Sequence, residues 1–160
     1  MDDTLFALTL VAAVGCGLLA GVVYAFSSAI MKALGRLPAA QGIAAMQSIN
    51  ITVINPWFMG AFFGPAPICV AVVVLSVLEW EEPEAFYRLA GSALYLVGAV
   101  LVTMAFNVPR NDALAAVDPE SADGENYWRR YLVEWTRWNH VRTAAALAAA
   151  ALFTIALTVG

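Results

Sequence analysis

The residues best suited to acid–base chemistry lie together near the end of the sequence. Asn139, His140 and Arg142 stand within four positions of one another. A histidine exchanges protons near neutral pH, and amide and guanidinium groups donate hydrogen bonds to a developing oxyanion. The combination predicts proton abstraction, with His140 as the base and Asn139 and Arg142 as the donors that stabilise the anion. An exposed histidine at the start of a helix is an equally good interpretation.

Other chemistry is excluded by residue counts. His140 is the only histidine, so bis-histidine haem ligation within one chain is impossible and a carboxylate-rich di-iron site lacks its histidine ligands. The two cysteines, Cys16 and Cys69, form no Cys-x-x-Cys pair, which argues against a thiol-redox enzyme. We therefore expect neither a metal ion nor a redox cofactor.

Helices that cross a membrane must position these residues. Of the 160 residues, 62% are apolar and 12% are charged, and the mean hydropathy is +0.77, whereas about 25% of a typical soluble domain is charged. Four stretches of 28, 42, 21 and 18 residues carry no charge, and a membrane-spanning helix needs roughly 20 apolar residues. We predict one domain, 1–160, with spans near residues 5–26, 57–78, 89–106 and 142–159.

The expected fold is an all-α four-helix bundle in which each of the two long loops, 27–56 and 107–141, holds an additional helix. The uncharged but polar segment 38–54 is predicted to be interfacial or re-entrant. In the second loop, helical spacing places aromatic and polar residues along one side, as in an amphipathic interfacial helix. These residues are Trp128, Tyr131, Leu132, Trp135, Trp138 or Asn139, and Arg142.

The basic residues are distributed unevenly. Seven of the eight lie in or at the edge of the two long loops, which predicts that both loops are cytoplasmic and both termini outside. The excess of arginine over lysine and the abundant alanine suggest a bacterial source, so we expect the bacterial plasma membrane. The lipid bilayer is the expected partner, and the net charge of −4 with one short basic cluster excludes most nucleic-acid binding.

Four motifs carry a resemblance over nearly the whole chain. They are Met46-Gln47-x-Ile49-Asn50, Asn55-Pro56, Phe106-Asn107-Val108-Pro109-Arg110-Asn111-x-x-Leu114 and Trp135-x-x-Trp138-Asn139-x-x-Arg142. With them the sequence resembles a membrane family that includes the anthrone oxygenases of polyketide pathways. Together the motifs are specific for that family, whereas any one of them alone is weak.

The resemblance implies an oxidoreductase that oxidises an anthrone-like flat aromatic molecule with O2, without a metal or a flavin. For this reaction, the chemistry of the residues suggests that Trp135 and Trp138 stack on the ring while His140 removes the acidic CH proton. The expected polar donors to the substrate are Asn50, Asn107, Asn111, Asn139 and Arg142.

A non-enzymatic function stays open. A small membrane protein that binds a lipid, a quinone or a protein partner, or that forms a homo-oligomer, would use the same residues as a polar network joining helix ends. A pocket beside His140 favours a small-molecule site. Direct side-chain hydrogen bonds with no cavity favour the network, and the residues concerned are Asn50, Asn107, Asn139 and Arg142.

Overall fold

The computed structural model describes residues 2–159. Within this range the chain forms five helices and no strand. Their bounds are α1, Asp3–Leu34; α2, Ala39–Thr52; α3, Pro56–Leu78; α4, Ala85–Ala115; and α5, Ala122–Val159. Four of them, α1, α3, α4 and α5, are long and apolar enough to cross a membrane. The predicted all-α fold with four spans is confirmed.

Three of the helices continue beyond the apolar stretches that predicted them. α1 runs on to Leu34, α4 runs on to Ala115, and α5 begins at Ala122, well before residue 142. No glycine or proline follows Gly124 before the end of α5, so nothing in the backbone breaks that helix. The aromatic segment of the second loop is therefore the first half of α5 and not a separate interfacial helix.

Asn55 caps the start of α3, as the Asn-Pro pair indicates. Its Oδ1 accepts hydrogen bonds from the backbone nitrogens of Trp57 (3.1 Å) and Phe58 (3.0 Å), and proline suits the first helical position. Farther along α3 the α-helical pattern is interrupted at Gly64, although this residue keeps helical dihedral angles (φ −55°, ψ −41°). The interruption reflects the missing N–H of Pro65.

The four long helices form a closed ring in the order α1, α3, α4, α5. α2 lies across one end of this ring, here named the α2 end, and packs on α5 and on the last turns of α4. Gln47 fastens it there, because its Nε2 donates to the carbonyl oxygens of Leu114 (2.9 Å) and Val117 (3.0 Å). The segment predicted as interfacial or re-entrant is thus a helix that covers one end of the bundle.

An ion cluster closes the opposite end. Arg88 of α4 is fully buried, and its guanidinium nitrogens lie 3.5 Å from a carboxylate oxygen of Glu84 and 3.6 Å from one of Glu79. Its Nε donates to Ser76 Oγ at 2.9 Å. A buried charge needs such partners. The one basic residue on the short-loop side is therefore held inside the bundle and adds nothing to the surface charge there.

Glycines set the closest approaches between helices, but these are not the glycines of the patterns Gly17-x-x-x-Gly21 and Gly60-x-x-x-Gly64. A Cβ atom built on Gly98 of α4 would lie 2.5 Å from Ala145 Cβ of α5, and one built on Gly15 would lie 2.6 Å from Pro65 Cγ. A Cβ atom on Gly21 would meet nothing within 4 Å. Close packing without side-chain bulk is the expected means of helix association in lipid.

Gly98→Ala is therefore expected to destabilise the bundle, whereas Gly21→Ala is its matched control. Both changes favour the helix by removing backbone entropy from the unfolded chain, but only the first forces two Cβ atoms together. Overpacking of this kind costs about 1–3 kcal/mol. The measurement is reversible unfolding by SDS in mixed micelles, followed by circular dichroism. Equal midpoints for the two variants would contradict the packing described.

Three stretches of the long helices are π-helical: Phe26–Ile30 in α1, and Leu94–Leu101 and Thr103–Asn107 in α4. Single π-helical turns are rare and often occur at functional sites. Two of the three carry buried polar residues that face α5, namely Ser27, Thr103 and Asn107. Two of the π-helical stretches thus lie where α1 and α4 carry polar residues into the interior of the bundle.

Candidate functional site

The stripe of α5 residues predicted to share one side does face the interior. Trp128, Tyr131, Trp135, Asn139 and Arg142 are all buried. His140 follows Asn139 by one position, which is a rotation of about 100° around the helix, and it is exposed. The structure therefore separates the predicted base from the two predicted donors, which point into the bundle.

Asn139 and Arg142 form a hydrogen-bonded chain between α1 and α4. Arg142 Nε donates to Asn139 Oδ1 at 2.7 Å, and Arg142 Nη1 donates to Thr103 Oγ1 at 3.2 Å. Asn139 Nδ2 donates to the carbonyl oxygen of Val23 at 2.6 Å and also to Ser27 Oγ. Among residues 2–159 no carboxylate pairs with Arg142. The buried guanidinium is thus solvated by neutral groups and keeps its positive charge uncompensated.

Trp135 lies at the centre of a second set of contacts. The guanidinium carbon of Arg142 lies 5.0 Å from the centre of its ring, which is a cation–π contact. Its Nε1 donates to Asn111 Oδ1 at 2.8 Å, and the hydroxyl of Tyr131 donates to the same oxygen at 2.8 Å. Asn111 thereby joins α4 to α5, and its side-chain oxygen is already occupied by protein groups.

Two other predicted asparagines retain a free polar atom. Asn107 Nδ2 donates to the carbonyl oxygen of Trp135 at 3.3 Å, but its Oδ1 is buried and has no partner among the described residues. Asn50 lies on α2, and its Nδ2 is likewise buried without a hydrogen-bond partner in residues 2–159. Buried polar atoms are normally hydrogen-bonded, so these two are available to water or to a ligand.

Trp138 is already stacked. Its ring lies 3.6 Å from the ring of Phe106 with an angle of 7° between the planes. One face is therefore taken by a neighbouring helix, and the side chain is half-buried. The structure does not bring Trp138 to the groove described next.

His140 lines a groove of about 460 Å³ between α1 and α5 at the α2 end. The α1 wall consists of residues at helical spacing, and so does the α5 wall. The lining residues are Tyr24, Ser27, Ser28, Met31, Lys32, Leu132, Thr136 and His140. A pocket of this volume is of the size that holds a small organic ligand. Each wall spans eight residue steps, or about 12 Å at 1.5 Å per residue.

The sequence did not point to Lys32, Ser27 or Thr103 as site residues. The predicted first span ends near residue 26, so the sequence places Lys32 in the loop that follows it. Because α1 continues to Leu34, Tyr24 and Lys32 lie on the same side of one helix, the side that lines the groove. The adjacent Ser27 and Ser28 inside a long uncharged stretch were the one available signal.

A sequence model of the anthrone oxygenase family matches residues 57–152. The chain belongs to the anthrone oxygenase family. This match confirms the resemblance, and it spans α3, α4 and most of α5, including the Asn107, Asn111, Trp135 and Arg142 positions. Neither a curated protein nor a solved structure matches the chain. In this member of the anthrone oxygenase family, the groove is only partly covered by the match. Its α5 wall lies within the matched residues, and its α1 wall lies outside them.

Proposed function

We propose that the protein is a cofactor-free oxygenase that converts an acidic CH2 group of an anthrone-like aromatic molecule to a ketone with O2. The observation that carries this proposal is the position of His140, which opens on a groove large enough for a flat ring system and shares it with Lys32. Family membership supports the same reaction class. The substrate is apolar, so it can reach a groove on the surface of the bundle from the bilayer.

The reaction is balanced without a cofactor. The imidazole of His140 removes one CH proton, and the carbanion passes one electron to O2, giving a carbon radical and superoxide. These combine to a peroxide anion, which takes the proton back from the imidazolium. Loss of the second CH hydrogen with hydroxide from the hydroperoxide then forms the ketone and one water molecule. The protein contributes a base, a positioned ring and stabilisation of the enolate oxygen.

The buried residues behind the groove have supporting functions in this proposal. The charge of Arg142 favours an anion nearby, and Asn139 transmits that effect towards α1. Asn50 and Asn107 do not line the groove, so in this proposal they belong to the buried cluster and do not contact the ring. Trp135 and Asn111 hold this cluster in place, whereas Trp138 fastens α5 to α4 through Phe106.

The assay uses the purified protein in detergent with anthrone and O2. We expect O2 uptake together with formation of anthraquinone, and an ¹⁸O2 experiment should transfer one labelled atom into the new carbonyl group. A protein that binds the quinone but does not speed O2 uptake over empty micelles would contradict the oxygenase and favour the binding function.

We further propose that the protein lies in the bacterial plasma membrane with the α2 end in the cytoplasm. The basic residues at that end support this orientation, and so does the burial of Arg88 at the other. The two native cysteines are buried, so an added cysteine is labelled against a low background. In spheroplasts, an impermeant maleimide should label Glu82→Cys, and it should label Ala116→Cys only after lysis. The reverse pattern would overturn the proposed orientation.

A further inference from the structure

Ser27 occupies an unusual place in α1. It stands in the π-helical turn Phe26–Ile30 and is only 3% exposed, yet it lines the same groove as His140. Its Oγ accepts a hydrogen bond from Asn139 Nδ2. The residue is therefore the point where the buried hydrogen-bonded chain of Arg142 and Asn139 reaches the groove.

The hydroxyl of Ser27 lacks a hydrogen bond that the neighbouring Ser28 makes. A helical serine or threonine can donate to the carbonyl oxygen one turn earlier. Ser28 does so to Tyr24 at 2.8 Å, and Thr103 does so to Ala99 at 2.7 Å. Ser27 does not, and its hydroxyl finds no other acceptor in residues 2–159.

Asn139 contacts both the hydroxyl of Ser27 and the carbonyl oxygen one turn before it. Its Nδ2 carries two hydrogens, and their acceptors are the carbonyl oxygen of Val23 and Ser27 Oγ. The carbonyl to which Ser27 would normally donate is thus approached by the asparagine. The orientation of the amide is set by Arg142, whose Nε can only donate and therefore requires Oδ1 on its side. The free hydrogen of Ser27 therefore stands at the end of a chain of donors that runs from Arg142 through Asn139.

The chain that ends at Ser27 begins at a positive charge. Arg142 is buried without a carboxylate partner in the described part of the chain, and Thr103 and Trp135 hold it in place. A hydrogen bond polarises the next one in a chain, and the effect is stronger in a medium of low dielectric constant. The hydroxyl of Ser27 is therefore a stronger donor than an isolated serine, and its natural acceptor is an anion.

We propose that the Ser27 hydroxyl donates the hydrogen bond that stabilises the enolate or phenolate oxygen of a flat aromatic ligand in the groove. The positive charge that drives it comes from Arg142 through Asn139. The ligand class and the site rest on the proposed function. Positioned donors of this kind typically contribute about 10²–10³ in kcat, so Ser27→Ala should lower oxygenation by a factor in this range.

The test measures ionisation of a bound probe and needs no turnover. The probe is 2-hydroxyanthraquinone, because its phenolate absorbs visible light. We expect the wild-type protein to lower the pKa of the bound probe relative to protein-free micelles. Ser27→Ala, and Ser27→Cys as a near-isosteric second variant, should give at least about tenfold less phenolate at a given pH, equal to one pKa unit. Ser27→Thr keeps the hydroxyl and should keep the shift.

Thr143→Ala is the control, because its hydroxyl donates to Asn139 O within the helix and it does not line the groove. An unchanged probe pKa in both Ser27→Ala and Ser27→Cys would overturn the proposal, as would failure of the wild type to bind the probe. If these variants took up O2 at the normal rate and did not change the pKa of the bound probe, the proposed function of Ser27 would be rejected, and the proposed oxygenase activity would still hold. If the pKa shift of the probe depended on Ser27 but the protein took up no O2, the oxygenase activity would be rejected, and the groove would be a site that binds an anion.

Discussion

Replacing His140 with alanine is expected to lower anthrone-dependent O2 uptake by about 10²–10⁴-fold, the usual contribution of a positioned general base. Deprotonation of the CH2 group creates the electron-rich carbanion, and no other histidine exists in the chain to take over this step. O2 uptake is measured with an electrode and anthraquinone by its absorbance, under conditions where the wild-type rate is linear in protein concentration.

Arg137→Ala is the matched control for this experiment. Arg137 is exposed on the same helix one turn before His140, and it does not line the groove. The Arg137→Ala variant should take up O2 at the wild-type rate. If His140→Ala kept the wild-type rate, the histidine would be an exposed residue at the membrane surface, and the proposed base would have to be abandoned.

Replacing Arg142 with leucine is expected to destabilise the fold by about 2–4 kcal/mol. The change leaves Asn139 Oδ1 buried without its donor and removes the bond to Thr103 and the contact with the Trp135 ring. An acceptor left unpaired in the interior costs about 1–3 kcal/mol, although hydrogen bonds between membrane helices contribute only about 0.6–1.7 kcal/mol each. The free energy of unfolding is measured by SDS titration in mixed micelles.

Arg137→Leu provides the comparison, since it also replaces an arginine of α5 with leucine but at an exposed position. We expect its unfolding free energy to stay within about 0.5 kcal/mol of the wild type. Arg142→Lys should fall between the two, because lysine keeps the charge but lacks the planar fork that reaches Asn139 and Thr103 together. An Arg142→Leu variant as stable as Arg137→Leu would show that the network does not hold the helices together.

The sequence was sufficient to predict the number and kind of the helices. Long uncharged stretches have one stable solution in lipid, where every backbone group must bond within its own helix. Helical spacing also predicted that residues from Trp128 to Arg142 share one side of a helix, and the structure shows that this side is buried in the bundle. The ends of the helices were less predictable, because charged residues such as Lys32 and Arg110 extend a helix into the interface as readily as they end it.

The resemblance and the chemistry of the residues indicated Asn139, His140 and Arg142, but they could not say which of these faced each other. One residue step along α5 turns His140 away from the stripe, and only the packing of α1 beside it creates the groove. The partners of the network on α1 and α4, Ser27 and Thr103, are more than a hundred and nearly forty positions away in the sequence. No local pattern encodes such a distance.

The sequence by itself therefore determined a four-span all-α membrane protein and the residue types available for chemistry, since hydropathy and helical periodicity depend on near neighbours alone. Only the tertiary structure decided that Asn139 and Arg142 form a buried chain while His140 opens on a groove with Lys32. The physical reason is that the ring of helices assigns each face to lipid, groove or interior, and this assignment depends on which helix lies beside it.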